Sequence, residues 1–322
     1  MRVPAREPFA TRYDVAVAGG GLRVARSGPP VADADSVVLA AHGVTASHLA
    51  WRAVARELAA EPRTCLLAPD LRGRGHSAGL PGPYGLSAHV ADLMAVLDDA
   101  GVGRTVLVGH SMGGYVVARL AAEHPDRVAA VVLLDGGVPL PLPGDEDPAV
   151  VLEKVVGPAI ARLHMTFASR EEYVAQWRSH PALVDAWNED VELYAGYDVT
   201  GEPGAMRCVV SEAAVRADSA DVLSEDAARA ALDRVRAPVD LLRAPRGFRN
   251  EDDKPFISHD ALRAFVAGYP KAHVEDVTGT NHYTLTLGET PGPSTVAATL
   301  RAALRAARTG PRAAGGRRSG TT

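Results

Sequence analysis

The sequence predicts an α/β protein: a mostly parallel sheet with helices on both faces and a helical segment inserted late in the sheet. Three observations predict this class. Short apolar, β-branched runs at 64–68, 105–108 and 128–134 alternate with segments of helical composition, which favours parallel pairing through right-handed crossovers. The run at 105–108 passes through Gly109-His110-Ser111-Met112-Gly113 straight into a helical stretch, a sharp strand-to-helix turn. After Asp135 the alternation stops, and helical composition continues to about residue 230 before an apolar run at 238–242 resumes the sheet.

The elements follow in order. Residues 1–12 read as a loose leader. Strands at 13–18 and 22–25 flank Gly19-Gly20-Gly21. A dinucleotide-binding loop would need a helix after those glycines; another strand follows, so a hairpin is predicted. A strand at 36–41 leads into His42-Gly43-Val44-Thr45. Ser47 is placed to cap a helix running to 60, with Leu49, Ala53, Val54 and Leu58 on one stripe. The Gly/Pro-rich stretch 69–85 is a loop. Its Arg72, Arg74 and His76 suit either an anion site or hydrogen bonds that hold the loop on the sheet, and the second is the commoner role. Helices are expected at 87–100 and 112–122, the latter ended by Pro125.

The inserted segment opens with an extended linker at 139–143. Helices are expected at 147–167, interrupted near Gly157-Pro158, and at 170–179, 181–194 and 211–216. A helix at 257–267, a strand at 272–277 and a closing helix at 290–307 complete the fold. The predicted organisation is a core of 1–135 and 231–308, a helical cap of 136–230, and a disordered tail of 309–322 poor in apolar residues.

Composition narrows the function. The chain has 322 residues, 47% of them hydrophobic, enough for one large domain with an insertion. A net charge of −5 with interspersed signs offers no basic face for nucleic acid. Two cysteines form no disulfide framework and no zinc spacing, and Cys65 sits in an apolar strand as a buried thiol. No segment has signal-peptide or membrane-span character, so a cytoplasmic protein without a membrane partner is expected. No cofactor or metal is expected. The partner is a small-molecule substrate, and the sequence leaves monomer or homodimer open.

The chemistry centres on Ser111. Glycines two residues either side let the strand and helix backbones pass closely and hold the serine in a strained conformation. A serine hydroxyl needs a base, and the base needs a third group to fix its tautomer. Of eleven histidines, His282 lies in a loop after a late strand, where a base can reach the elbow. His164, His180, His259 and His273 lie in helical or polar contexts that suit surface or packing roles.

The acid is Asp135, at the carboxyl end of the strand after the nucleophile helix, or one of Glu251, Asp252 and Asp253 beyond the next strand. The second group sits in a charge run that suits a solvated loop, and Asp135 precedes Gly136-Gly137, where an Asp also suits a turn. Asp135 is preferred, with Asp252 the alternative. The main-chain N–H groups of Val44 and Met112 are the expected oxyanion donors. His42 and Gly43 of the same loop, with Met165, Trp177, Trp187 and Tyr283, are candidate substrate contacts. For His42 a hydrogen bond to loop backbone, and for the aromatic residues packing inside the cap, are the plainer roles.

His42-Gly43, the run Asp70-Leu-Arg-Gly-Arg-Gly-His-Ser77, Gly109-His-Ser-Met-Gly-Gly114, His124-Pro-Asp-Arg127 and Asn281-His282 together resemble the α/β-hydrolase superfamily. The resemblance is dense over 13–135 and thinner over 238–305. It implies an eight-stranded sheet, a Ser-His-acid triad and hydrolysis without a cofactor. The chain departs from the family pattern four or five residues after the seventh strand, where the commonest acid would stand and Phe248 and Arg249 stand instead.

The expected activity is hydrolysis of a carboxylic ester, thioester or lactone of a small to medium, largely apolar substrate through an acyl-enzyme. A carbon–carbon bond hydrolase or a cofactor-free haloperoxidase-like enzyme would use the same triad. A ligand-binding homologue that has lost catalysis is the alternative of another class.

Overall fold

A computed structural model describes residues 7–140, 148–289 and 291–309. The first six residues, most of the expected 139–143 linker and the expected tail from 310 lie outside the described residues. The N-terminal hairpin pairs β1 (Thr11–Val17) with β2 (Gly20–Ser27), antiparallel as expected but with longer strands. Strands β3 (Ser36–Ala41) and β4 (Thr64–Pro69) flank α1 (Arg52–Leu58). The predicted helix from Ser47 is broken: a short 3-10 turn, His48–Trp51, precedes α1, and the Ser47 side chain caps nothing.

Next come α2 (Leu86–Asp99), β5 (Thr105–His110), α3 (Met112–Glu123) and β6 (Val128–Leu134). The inserted segment holds α4 (Pro148–Leu163), α5 (Arg170–Arg178), α6 (Glu189–Tyr197), a two-stranded ribbon of β7 (Val199–Thr200) and β8 (Arg207–Cys208), and α7 (Glu212–Val222). Then follow α8 (Glu225–Leu232), β9 (Val239–Arg243), α9 (His259–Gly268), β10 (His273–Asp276) and α10 (Gly292–Thr309).

Eight strands form one sheet in the order β1-β2-β4-β3-β5-β6-β9-β10, parallel from β4 to β10. The central strands are apolar on both faces, which sheets covered on both sides require. In β5, Leu107 joins a core with α2, α3, α8 and α9, while Val106 and Val108 face α1 and α10. Each such side chain contributes about 1.5–3 kcal/mol by leaving water.

Two expectations about the insertion are corrected. The helix expected at 181–194 is instead a 3-10 turn, Val184–Ala186, followed by α6, which starts where the Asn188 side chain accepts from Val191 N–H. The expected 230/231 boundary falls inside α8, whose Ala228 and Leu232 pack into the sheet's own core.

Charged pairs tie the insertion to the sheet. Asp190 of α6 pairs with Arg52 (2.9 Å) and Arg56 of α1. Asp218 of α7 pairs with the fully buried Arg74 and accepts from His89 Nε2 (2.9 Å) and Gly85 N–H (2.7 Å). Among the described residues no helix is long and apolar enough to cross a membrane.

Candidate active site

Ser111 stands between β5 and α3 with φ 55° and ψ −123°, a left-handed conformation rare for a residue with a side chain. The glycines around it are demanded by contact. A methyl on Gly109 would lie 2.2 Å from the Gly113 carbonyl oxygen, and one on Gly113 would lie 2.0 Å from the Ala41 carbonyl oxygen of β3. Strand and helix therefore pass too closely there for any side chain. Ser111 N–H donates to the Leu134 carbonyl (2.9 Å), which sets the elbow beside the end of β6.

The next residue along β6 is Asp135, fully buried and also left-handed (φ 42°). Its N–H donates to the Leu242 carbonyl (2.8 Å) of β9. Its Oδ2 accepts from His282 Nδ1 at 2.7 Å, with the histidine itself 3% exposed. That bond puts the Nδ1 proton on His282 and leaves Nε2 as the free acceptor. Asp252 is exposed on the loop after β9 and forms no part of this group. Phe248, at the place where the resemblance would put an acid, packs its ring 4.3 Å from the His282 ring.

Several residues that the sequence did not single out fix His282. His110 Nε2 donates to the His282 carbonyl (2.8 Å), and the two rings lie 4.7 Å apart. His282 N–H donates to the Arg246 carbonyl (3.1 Å). Asn281 Oδ1 accepts from the N–H groups of Tyr283 (3.0 Å) and Thr284 (3.1 Å). Burial pushes His110 down to about 3, so it is a neutral, structural imidazole. No hydrogen bond joins the Ser111 hydroxyl to His282 among the described residues; His110, next to the serine, forms the link between them. The Gly-His-Ser spacing was the available signal for His110.

The loop after β3 abuts the serine: a methyl on Gly43 would stand 3.3 Å from Ser111 Cβ. His42 is fully buried. Its Nε2 accepts from Leu71 N–H (2.9 Å) and its Nδ1 donates to the Gly43 carbonyl (2.8 Å), and burial pushes it down to about 3. Both nitrogens are spent on backbone, so His42 shapes the loop and is not exposed to a substrate. Arg74 braces the same region. Its Nε donates to the Val44 carbonyl (2.8 Å) and another nitrogen lies 4.0 Å from Met112 Sδ. The buried Asp218 that pairs with it is held below the usual carboxylate range by His89 and Arg74, against the cost of burial. Arg72 forms two bonds to Asp92 (2.9 and 2.6 Å). The 69–85 arginines therefore hold the loop, as the sequence favoured.

The expected substrate contacts separate. Tyr283 lies edge-on to His282 (5.8 Å), and Trp177 packs on Tyr283 (6.1 Å). Met165 is 40% exposed and takes a Gln176 amide contact. Trp187 donates to Glu192 (3.3 Å) and lines a cavity of about 440 Å³ with Arg246, Asn250 and Asn281, which neither Ser111 nor His282 lines. A smaller cavity of about 210 Å³ lies between α3 and α8, also away from the serine. Neither hollow is lined by Ser111, Asp135 or His282. Asp198, just after α6 and 3% exposed, is pushed up to about 8 by burial and by the Asp70 charge.

An elbow serine, a buried carboxylate–histidine pair and a backbone loop facing the serine are the parts of a nucleophilic hydrolase. Residues 36–180 match the family model for the alpha/beta hydrolase fold. With the sheet order above, the chain has the α/β-hydrolase fold. It is 44% identical over 119 residues to lipase LipV of Mycobacterium tuberculosis, a match covering 37% of this chain and 43% of that protein. It is 41% identical over 118 residues to epoxide hydrolase A of the same organism, covering 36% of this chain and 35% of that protein. The matched segments thus span less than half of either relative. In three dimensions it superposes on the thioesterase domain from the curacin biosynthetic pathway with a TM-score of 0.72 at 19% identity, covering 91% of this chain and 99% of that one.

Proposed function

We propose that the protein is a serine hydrolase that cleaves a carboxylic ester or thioester through an acyl-enzyme. The observation that carries this reading is the 2.7 Å bond from His282 Nδ1 to Asp135 Oδ2, made one residue beyond the strand end that anchors Ser111 N–H. In the proposed cycle Ser111 Oγ, brought to His282 by rotation about its Cα–Cβ bond, attacks the carbonyl carbon and gives its proton to His282 Nε2. Asp135 keeps the imidazole in the accepting tautomer and stabilises its cation. The N–H groups of Val44 and Met112 receive the oxyanion, each worth on the order of 3 kcal/mol. His282 then protonates the leaving alcohol or thiol, activates water, and the acid departs.

Likeness to a lipase and a thioesterase domain favours acyl transfer. Likeness to an epoxide hydrolase favours epoxide opening less. Attack by a serine on an epoxide would leave an ether, which this group of residues has no means to hydrolyse. The test is turnover of short-chain 4-nitrophenyl esters. The wild type should turn over and Ser111→Ala should fall to background; equal rates in the two would refute the reading.

A further inference from the structure

His282 stands on a loop, yet it is only 3% exposed. Part of its cover is a pair of phenyl rings from the loop after β9. The Phe248 ring lies 4.3 Å from the imidazole and the Phe256 ring 5.0 Å from it, and the two phenyl rings meet edge-on at 5.3 Å. Phe248 itself is exposed on its outer side and sets its inner side on the histidine.

Local structure holds that ring in place. The loop turns tightly: Gly247 N–H donates to the Glu251 carbonyl (3.1 Å), Asn250 N–H donates to the Gly247 carbonyl (3.1 Å), and Asn250 is left-handed (φ 65°). A methyl on Gly247 would lie 1.9 Å from the Lys254 carbonyl oxygen, so the two arms of the loop touch. The turn is tied to the histidine loop on both sides of Phe248. His282 N–H donates to the Arg246 carbonyl (3.1 Å), and Asn281 Nδ2 donates to Asn250 Oδ1 (3.0 Å). The residues two before and two after Phe248 thus bond to His282 and its neighbour, and the ring between them has one place to pack.

Asp135 bonds one edge of the imidazole at 2.7 Å. The other titratable or charged groups on the segments around it are neutral, paired or exposed. Burial pushes His110 down to about 3 and Tyr283 up, so both are uncharged at neutral pH. Arg246 donates to the carbonyls of Gly279 (2.6 Å) and Thr280 (3.3 Å), and Lys254 pairs with Glu251 (3.5 Å). Arg249, Asp252 and Asp253 are exposed. A cation within about 6 Å of a phenyl ring is attracted by its π electrons, more strongly away from water. We propose that Phe248, with Phe256 beside it, is a positioning residue of His282: its ring fixes the imidazole, shuts out water and stabilises the imidazolium that forms when Ser111 gives up its proton. This rests on the hydrolase reading and deepens it. Phe248 acts through His282, so its effect falls on kcat and on the titration of the histidine, and not on KM.

The test compares wild type with Phe248→Leu, which keeps an apolar cover and removes the ring, and Phe248→Tyr, which keeps the ring; Tm is checked for each. The His282 side chain is titrated by NMR with isotope-labelled histidine, its signal assigned by its loss in His282→Gln, and kcat and KM are measured on a short-chain 4-nitrophenyl ester. Without the ring the cation is less stable, so the Phe248→Leu midpoint should fall by about half to one pH unit. The same loss should lower kcat by about three- to tenfold with KM within about twofold. Phe248→Tyr should keep the wild-type midpoint and rate. A midpoint in Phe248→Leu that stays or rises, whatever kcat does, overturns the proposal, as does a Phe248→Tyr variant that falls as far as Phe248→Leu. A lowered midpoint in Phe248→Leu with no ester turnover by the wild type would uphold the role of the ring and refute the hydrolase reading. Turnover by the wild type with an unmoved midpoint in Phe248→Leu would do the reverse.

Discussion

Asp135→Asn is the perturbation that the geometry defines most closely. The amide is isosteric with the carboxylate, and the position is fully buried with Oδ2 2.7 Å from His282 Nδ1. Two things change. The amide cannot stabilise the imidazolium that forms when Ser111 gives up its proton, and if its NH2 group faces Nδ1 the proton on His282 shifts to Nε2, where none can be accepted. At the separation of charge centres in such a pair, roughly 4 Å, the lost attraction is about 4 kcal/mol at the effective dielectric of a protein site. That corresponds to about a thousandfold in kcat. KM should stay within about twofold, because Asp135 is shielded from substrate by His282. The assay is steady-state turnover of a 4-nitrophenyl ester, with Tm showing that the fold is intact. Asp252→Asn, on the exposed loop, should leave both constants unchanged. A loss below tenfold in Asp135→Asn with an unaltered Tm would refute the assignment of the orienting acid.

Three further outcomes follow from the structure. His42 and His110 are pushed down to about 3 from an ordinary 6.5, so below pH 6.5 the unfolded chain takes protons that the folded one refuses. Stability should be intact above that pH and fall by up to about 1.4 kcal/mol per pH unit for each histidine between 6.5 and 3; denaturant midpoints across that range check it, and a flat profile contradicts it. Asp218→Ala strands the buried Arg74 and should cost about 3–5 kcal/mol in urea unfolding, with Asp218→Asn costing less. Gly109→Ala drives a methyl into the Gly113 carbonyl and should remove folded protein from expression trials; a soluble, active variant would disprove the close passage of β5 and α3.

Much of this was legible in the sequence where local chemistry decides structure. The apolar run of β6 ends at Leu134 because the next residues are Asp135 and two glycines, and the acid at that strand end meets the histidine. The hairpin of β1 and β2 was legible because Gly19 and Gly20 take positive φ. The Asn188 cap of α6 was also written in the chain, and the Ala- and Trp-rich stretch before it masked it as helix. What the sequence hid are pairings between distant segments. Nothing local says that Arg74 and Asp218 meet, or that α8 packs on the core beside the sheet. The ribbon of β7 and β8 has two residues per strand, too few to show a period. Phe248 could be recognised as a departure from the family pattern, but its contact with the His282 ring depends on the fold.

The central claim is that Ser111 is a nucleophile primed by His282. Its most direct measurement is labelling by a fluorophosphonate probe, followed by mass spectrometry of the modified peptide. The account predicts one adduct, on Ser111, formed quickly in the wild type, much more slowly in His282→Ala, and not at all in Ser111→Ala. No adduct in the folded wild type, or labelling that proceeds as fast without His282, would contradict it.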